Sequence, residues 1–167
     1  MKTQKLESLK VGDALPPLDI PLTTSLIVAG ALASRDYTPV HHDKSAAQAS
    51  GMPDVFMNIL TTNGLVGRYV TDWAGPDAML RKLGIKLGAP NVPGDTLKLR
   101  GVVKAVDAAT RCVSVEVQGN NTWGNHVTGV VTLVSVNSAG AKANAAVFGD
   151  PDVSGDGNRV SFGSGAA

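Results

Sequence analysis

The 167-residue chain holds a single cysteine, Cys112, so no disulfide can close within it and no cysteine-rich zinc site can form. Aromatic residues make up 4% and charged residues 17%, both low. Fifteen Lys and Arg against fourteen Asp and Glu leave a net charge of +1. That balance lacks the basic excess needed to bind a nucleic-acid backbone or an anionic membrane surface. No stretch approaches the ~18 consecutive apolar residues of a membrane span; residues 26–33 come nearest and fall far short. The first ten residues are polar and have no apolar centre of the secretory kind. A cytoplasmic protein without nucleic-acid or membrane partners is expected. What is present is apolar bulk, 43% of the chain and mostly Ala and Val, with nineteen Gly. One domain can close a core with such small side chains.

Periodicity divides the chain. Residues 18–22 read as a short lead strand. Thr23, Thr24 and Ser25 offer hydroxyls to cap a helix over 26–34. Residues 35–43 contain Asp36, Pro39, His41 and His42 and read as a loop, followed by a short Ala-rich helix over 44–50. The longest helix is expected over 54–73, capped by Asp54, with apolar residues at 3–4 spacing from Val55 to Trp73. Its small and β-branched residues, Thr61 to Gly64 and Gly67, suit a helix packed on a sheet, where small side chains allow close approach. Beyond Gly75-Pro76 the period becomes two. Four runs follow, centred on Leu83 to Leu87, Leu97 to Val103, Val113 to Val117, and residues 126–136, with short turns between them. They predict an antiparallel meander, hence an α+β domain over residues 1–136. Residues 137–167 are rich in Ala, Gly, Ser and Asn, and read as a flexible or partner-docking tail with little core of its own.

Chemistry concentrates in Ser34-Arg35-Asp36-Tyr37-Thr38-Pro39-Val40-His41-His42-Asp43. Pro39 stiffens the segment between Asp36 and His41, and the two can converge to hold a water between a charged acceptor and a group titrating near neutrality. A helix-capping Asp beside solvated histidines is the plainer alternative. His41, His42 and Asp43 are adjacent, so their side chains diverge and no metal site is expected. His126, on a strand-like run, reads as structural. No Gly-x-Ser-x-Gly elbow and no phosphate-binding Gly-rich loop is present.

Residues 34–41 resemble the signature of the MaoC-like (R)-specific enoyl-CoA hydratases, roughly Ser-Gly-Asp-x-Asn-Pro-Ile/Leu-His. The long helix after Pro53 and the later Pro93-Gly94-Asp95-Thr96 follow the same layout. The resemblance implies a hot-dog fold, a curved antiparallel sheet wrapped around one long helix. It implies addition of water across a trans-2-enoyl-CoA double bond, with Asp36 and His41 as catalytic residues holding the water. The thioester oxygen would be met by a backbone N–H at the start of the long helix, here that of Asn58. Thr38, Val40, Met57 and Ile59 would line the substrate. No cofactor or metal is implied, since CoA is part of the substrate. The chain departs from the pattern in three places. Arg35 stands where the signature has Gly, Thr38 where it has Asn, and Met57-Asn58 where a His-Gly opens the long helix.

Val40-His41-His42-Asp43, residues 54–61 and residues 68–76 are more narrowly similar to the small catalytic subunit of heteromeric steroid side-chain enoyl-CoA hydratases, enzymes of lipid metabolism and steroid degradation. That resemblance implies a bulky acyl group and a second MaoC-like subunit, in a heterodimer or heterotetramer, or else a homodimer. Two alternatives remain. A hot-dog thioesterase would use a carboxylate on the central helix, where Asp72 lies at the far end. A non-catalytic acyl-CoA-binding subunit would keep the Asp36 and His41 pair idle.

Overall fold

The Thr23 hydroxyl accepts the Leu26 N–H at 3.0 Å, and the first helix, α1 (Thr24–Ala33), starts there. Lead strand β1 (Leu18–Pro21) precedes it, and α2 (Lys44–Ala49) follows, capped by the Asp43 carboxylate on the Ser45 and Ala46 N–H groups. The computed structural model describes residues 3–135, 152–153 and 159–163.

The long helix, α3 (Ile59–Ala74), is capped four residues later than the sequence predicts, by Asn58 rather than Asp54. Asp54 spends its carboxylate on Lys44 Nζ and the Val55 N–H, both at 2.8 Å. The chain then stays extended, burying Val55 and Met57. The Phe56 N–H bonds Val40 O at 3.3 Å, and the Met57 N–H bonds Asn91 O at 3.0 Å. These tertiary bonds outcompete a further helical turn, and Asn58 supplies the cap.

Four long strands follow: β2 (Ala78–Leu87), β3 (Thr96–Asp107), β4 (Cys112–Asn121) and β5 (Gly124–Ser135). Two short ones complete the sheet, β6 (Asp152–Val153) and β7 (Arg159–Gly163). All pairings are antiparallel, in the order β1-β3-β4-β5-β2-β7-β6. Only β3, β4 and β5 form a meander; β2 pairs with β5, not with β3 as the short link suggested. The link explains the crossover. The Gly88 and Ala89 N–H groups continue along β5, onto His126 O and Asn125 O, and further on Leu22 and Asp95 are bonded at the opposite side of the sheet.

One face of the sheet is apolar and curls around α3. Val103, Val115, Val117, Val127 and Val131 from the strands meet Val66, Tyr69, Val70 and Ala74 from the helix, all buried. This is the hot-dog arrangement. Lys82, Lys86 and Lys98 alternate with buried neighbours and lie on the outer face, away from α3. Of the tail at 137–167, the described residues are β6 and β7; β7 lies along Lys82–Lys86 of β2. The rest of the tail lies outside the described residues.

Candidate active site

Three segments converge at the N-terminal end of α3. The first is the exit of α1, where the Ser34 hydroxyl donates back to Gly30 O at 2.7 Å. Arg35 then takes a left-handed conformation, φ 58°, and turns the chain so that the Asp36 N–H reaches Ala31 O. Glycine adopts this conformation freely and arginine does not. The second segment is the loop beyond. Asp36 Oδ1 accepts the Thr38 hydroxyl at 2.7 Å and the Thr38 N–H at 3.3 Å, which closes an Asx turn. Pro39 opens a single 3-10 turn, Pro39–His41, that tucks His41 inward to 7% exposure.

The third segment, 54–58, fixes the imidazole. His41 Nδ1 lies 2.6 Å from Phe56 O, and its ring meets the Phe56 ring edge-on at 5.0 Å. A carbonyl can only accept, so Nδ1 carries the hydrogen and Nε2 is the working nitrogen. Nε2 points at Asp36 Oδ2, 3.3 Å away. Asn58 closes the cluster. Its Nδ2 donates to Asp36 Oδ2 at 3.0 Å and to Ser34 Oγ at 2.8 Å, and its Oδ1 accepts the Thr61 N–H at 2.9 Å. Among the described residues no acceptor lies on the Asn58 backbone N–H.

The electrostatics follow from these partners. Burial acts to raise the Asp36 pKa. The Thr38 hydroxyl, the Asn58 amide, the Thr38 N–H and the nearby His41 together outweigh it, holding the carboxyl below its usual range. Asp36 is therefore a carboxylate at neutral pH. His126 repeats the same anchoring elsewhere. Its Nδ1 donates to Ala89 O at 2.6 Å and its Nε2 accepts the Thr62 hydroxyl at 2.9 Å. Burial pushes its pKa down, against the opposing Ala89 bond, so it stays neutral.

The structure thus brings together Asp36, His41 and Asn58. Of the four residues expected along the substrate, Thr38 spends its hydroxyl proton on Asp36. Val40 is half-buried, and its carbonyl accepts the Phe56 N–H. Met57 is 3% exposed, its sulfur beside Asn91 Nδ2. Ile59 is half-buried in the first turn of α3. Sequence reasoning missed Ser34 as a partner, the Phe56 carbonyl and the side chain of Asn58. Asn58 with Thr61 three residues on had the spacing of an N-cap. A carbonyl acceptor leaves no trace in residue type.

Residues 10–125 match the model of the MaoC like domain. The chain belongs to this MaoC-like family. Over 123 residues it is 48% identical to the 3-oxo-4,17-pregnadiene-20-carboxyl-CoA hydratase beta subunit of Mycobacterium tuberculosis, a match covering 74% of this chain and 94% of that protein. Among solved structures, a chain of the ChsH1-ChsH2 complex from Mycobacterium tuberculosis is 46% identical, with a TM-score of 0.73 over 76% of this chain and 98% of that one. The (R)-hydratase from A. caviae involved in PHA biosynthesis shares the fold at 18% identity, with a TM-score of 0.69 over 78% of this chain and 99% of that one. The MaoC-like domain thus accounts for the part of the chain that holds Asp36, His41 and Asn58.

Proposed function

We propose that this MaoC-like chain is the catalytic subunit of an enoyl-CoA hydratase acting on a bulky, steroid side-chain type acyl-CoA. The observation that carries the reading is the Asp36–His41 pair. Oδ2 and Nε2 face each other at 3.3 Å, with Nδ1 already committed to Phe56 O. A water seated at the pair has a carboxylate to accept one of its hydrogens and a ring nitrogen at which a proton can come and go. The water oxygen bonds to the β-carbon of the enoyl thioester, and a proton returns to the α-carbon on the same face. As the carbon–carbon π bond opens, negative charge moves onto the thioester oxygen. The Asn58 N–H, at the positive end of the 16-residue α3, is the donor we assign to that oxygen. Thr38 sets the carboxylate; Val40, Met57 and Ile59 form the apolar surround of the acyl chain in this reading.

The relative's steroid-type CoA substrate, and its counterpart's occurrence in a two-chain complex, support a bulky acyl group and a second MaoC-like partner here. No metal or redox group enters this reaction. A cytoplasmic location goes with a CoA-thioester substrate, and no described helix is long and apolar enough to cross a membrane. The thioesterase alternative is disfavoured. Asp72, the candidate carboxylate on α3, sits at the helix end and pairs with Arg68 at 3.3 Å in solvent.

The test follows loss of enone absorbance when an enoyl-CoA is added to the chain, alone and with a MaoC-like partner. Asp36→Asn and His41→Ala are each expected to lower kcat by at least about 10²-fold. Full activity in both variants sinks the assignment, and free-thiol release without hydration restores the thioesterase.

A further inference from the structure

The resembled pattern has glycine in its signature where this chain has Arg35, and again at the start of the long helix where this chain has Asn58. The structure joins those two places. Ser34 and Asp36 flank Arg35, and both are held by one atom, Asn58 Nδ2, at 2.8 and 3.0 Å. The amide orientation is fixed by its surroundings. Oδ1 must accept the Thr61 N–H, and the NH2 faces a carboxylate. The Ser34 proton is spent on the α1 carbonyls of Gly30 and Ala31, so its oxygen is free to accept. Asn58 is 2% exposed and every polar atom of its side chain is used.

Two consequences follow. The bridge clamps both ends of a left-handed residue that is not glycine, φ 58° at Arg35. It also ties Asp36 Oδ2 to the residue whose backbone N–H we assign to the thioester oxygen. The water-holding carboxylate and the oxyanion donor are then set relative to each other within a single residue.

We infer that the Asn58 side chain is the positioning residue of this site. Its carboxamide bridges Ser34 and Asp36 across the left-handed Arg35, and in doing so aims the Asp36 carboxylate. This rests on the hydratase reading for its kinetic test, but not for its titration test. Glycine at 58 keeps the backbone N–H and loses the bridge; aspartate at 58 keeps the helix cap and replaces the donor with an acceptor.

In Asn58→Gly, the Asp36 pKa followed by carboxyl 13C NMR rises by about one unit, because a charge-assisted hydrogen bond is lost. In Asn58→Asp it rises further. With the partner-assembled enzyme, the acid limb of the kcat/KM profile moves up by the same amount, and kcat at the plateau falls about ten-fold from misaimed geometry. Arg35→Gly alone leaves both near wild type. Arg35→Gly in the Asn58→Gly background recovers part of kcat, since glycine holds the left-handed turn without a clamp. An Asp36 pKa unmoved in both Asn58 variants overturns the inference, whatever the activity. So does an active wild type whose acid limb and plateau are the same in Asn58→Gly. A wild-type protein without hydratase activity, but with the expected titration shift, leaves the bridge standing and removes the hydratase reading.

Discussion

Gly30 on α1 faces Thr61 on α3, and a methyl placed there has no room. A Cβ at Gly30 would run into Thr61 Oγ1, with Thr61 Cγ2 at 2.7 Å and Thr61 Cβ at 3.1 Å. Rotating the Thr61 side chain exchanges one branch for the other, so the two helices must part. Restoring ordinary carbon contact from 2.7 Å requires a displacement of about 1 Å. Overpacking of this kind costs about 1–3 kcal/mol, against which alanine in a helix gains about 1 kcal/mol over glycine. The net stability loss of Gly30→Ala is therefore small, about 1 kcal/mol, or about 2–4 °C in Tm. The functional loss is larger. α1 delivers Ser34 and Asp36, and α3 begins at Asn58, so the same displacement opens the 3.0 Å bond between Asp36 and Asn58. A shift of about 1 Å at a reacting group costs about 10²-fold in rate. Urea melts and the enone assay on one preparation read both quantities. Thr61→Ala supplies the internal check. Among the described residues the Thr61 hydroxyl is buried without a partner, so its removal breaks no hydrogen bond there. The Gly30→Ala/Thr61→Ala protein is expected to regain the rate and to melt at or above wild type. A Gly30→Ala enzyme with wild-type kcat refutes the coupling of α1 packing to the site. A double variant that stays slow refutes it as well.

Three further outcomes are open to measurement. Gly64→Ala fills open space on the exposed side of α3, where a Cβ would meet no atom within 4 Å, so it should stabilise by about 1 kcal/mol in denaturant melts. Val66→Ala, wholly buried beneath the sheet, should cost about 2 kcal/mol in the same assay. His126 is held neutral by burial, with its pKa below the unfolded value of about 6.5. The unfolded chain takes up its proton first as pH falls. Stability is full above about pH 6.5 and declines below it, by about 1.4 kcal/mol for each unit separating the two pKa values. A pH series of melting temperatures should show this limb in the wild type and lose it in His126→Gln.

The elements whose signals are local were legible in the sequence. Thr23 caps α1 through its own hydroxyl, and the period-two runs of β3, β4 and β5 pair as alternating apolar residues require. What escaped depended on contacts far along the chain. Asp54 looked like a helix cap but was taken by Lys44, and α3 waited for Asn58. The partner of β2 was set by the path of residues 88–95, which no periodicity encodes. At the site, Pro39 in a short loop allowed Asp36 and His41 to converge, and the resemblance to the hydratase signature singled the pair out over a capping Asp beside solvated histidines. The Asn58 bridge was not, because it joins residues 22 and 24 apart in sequence. The motif comparison pointed to the backbone N–H of Asn58, at a place where the pattern has glycine; the fold adds its side chain, turned toward Asp36.

A sheet with a free edge grows by addition, whereas one whose edge is occupied grows only by exchange. The outer edge of β2 carries β7 over Lys82–Lys86, supplied by residues beyond the 10–125 segment that defines the family. The Mycobacterium tuberculosis subunit is matched over 94% of its length, while a quarter of this chain lies outside the match. Any strand that joins this sheet along Lys82–Lys86 must therefore first displace the chain's own terminus, ladder bond for ladder bond. Its apparent affinity is discounted by the free energy of closing β7 onto β2. Shortening the C-terminus changes that discount without touching a residue of the Asp36–His41 site.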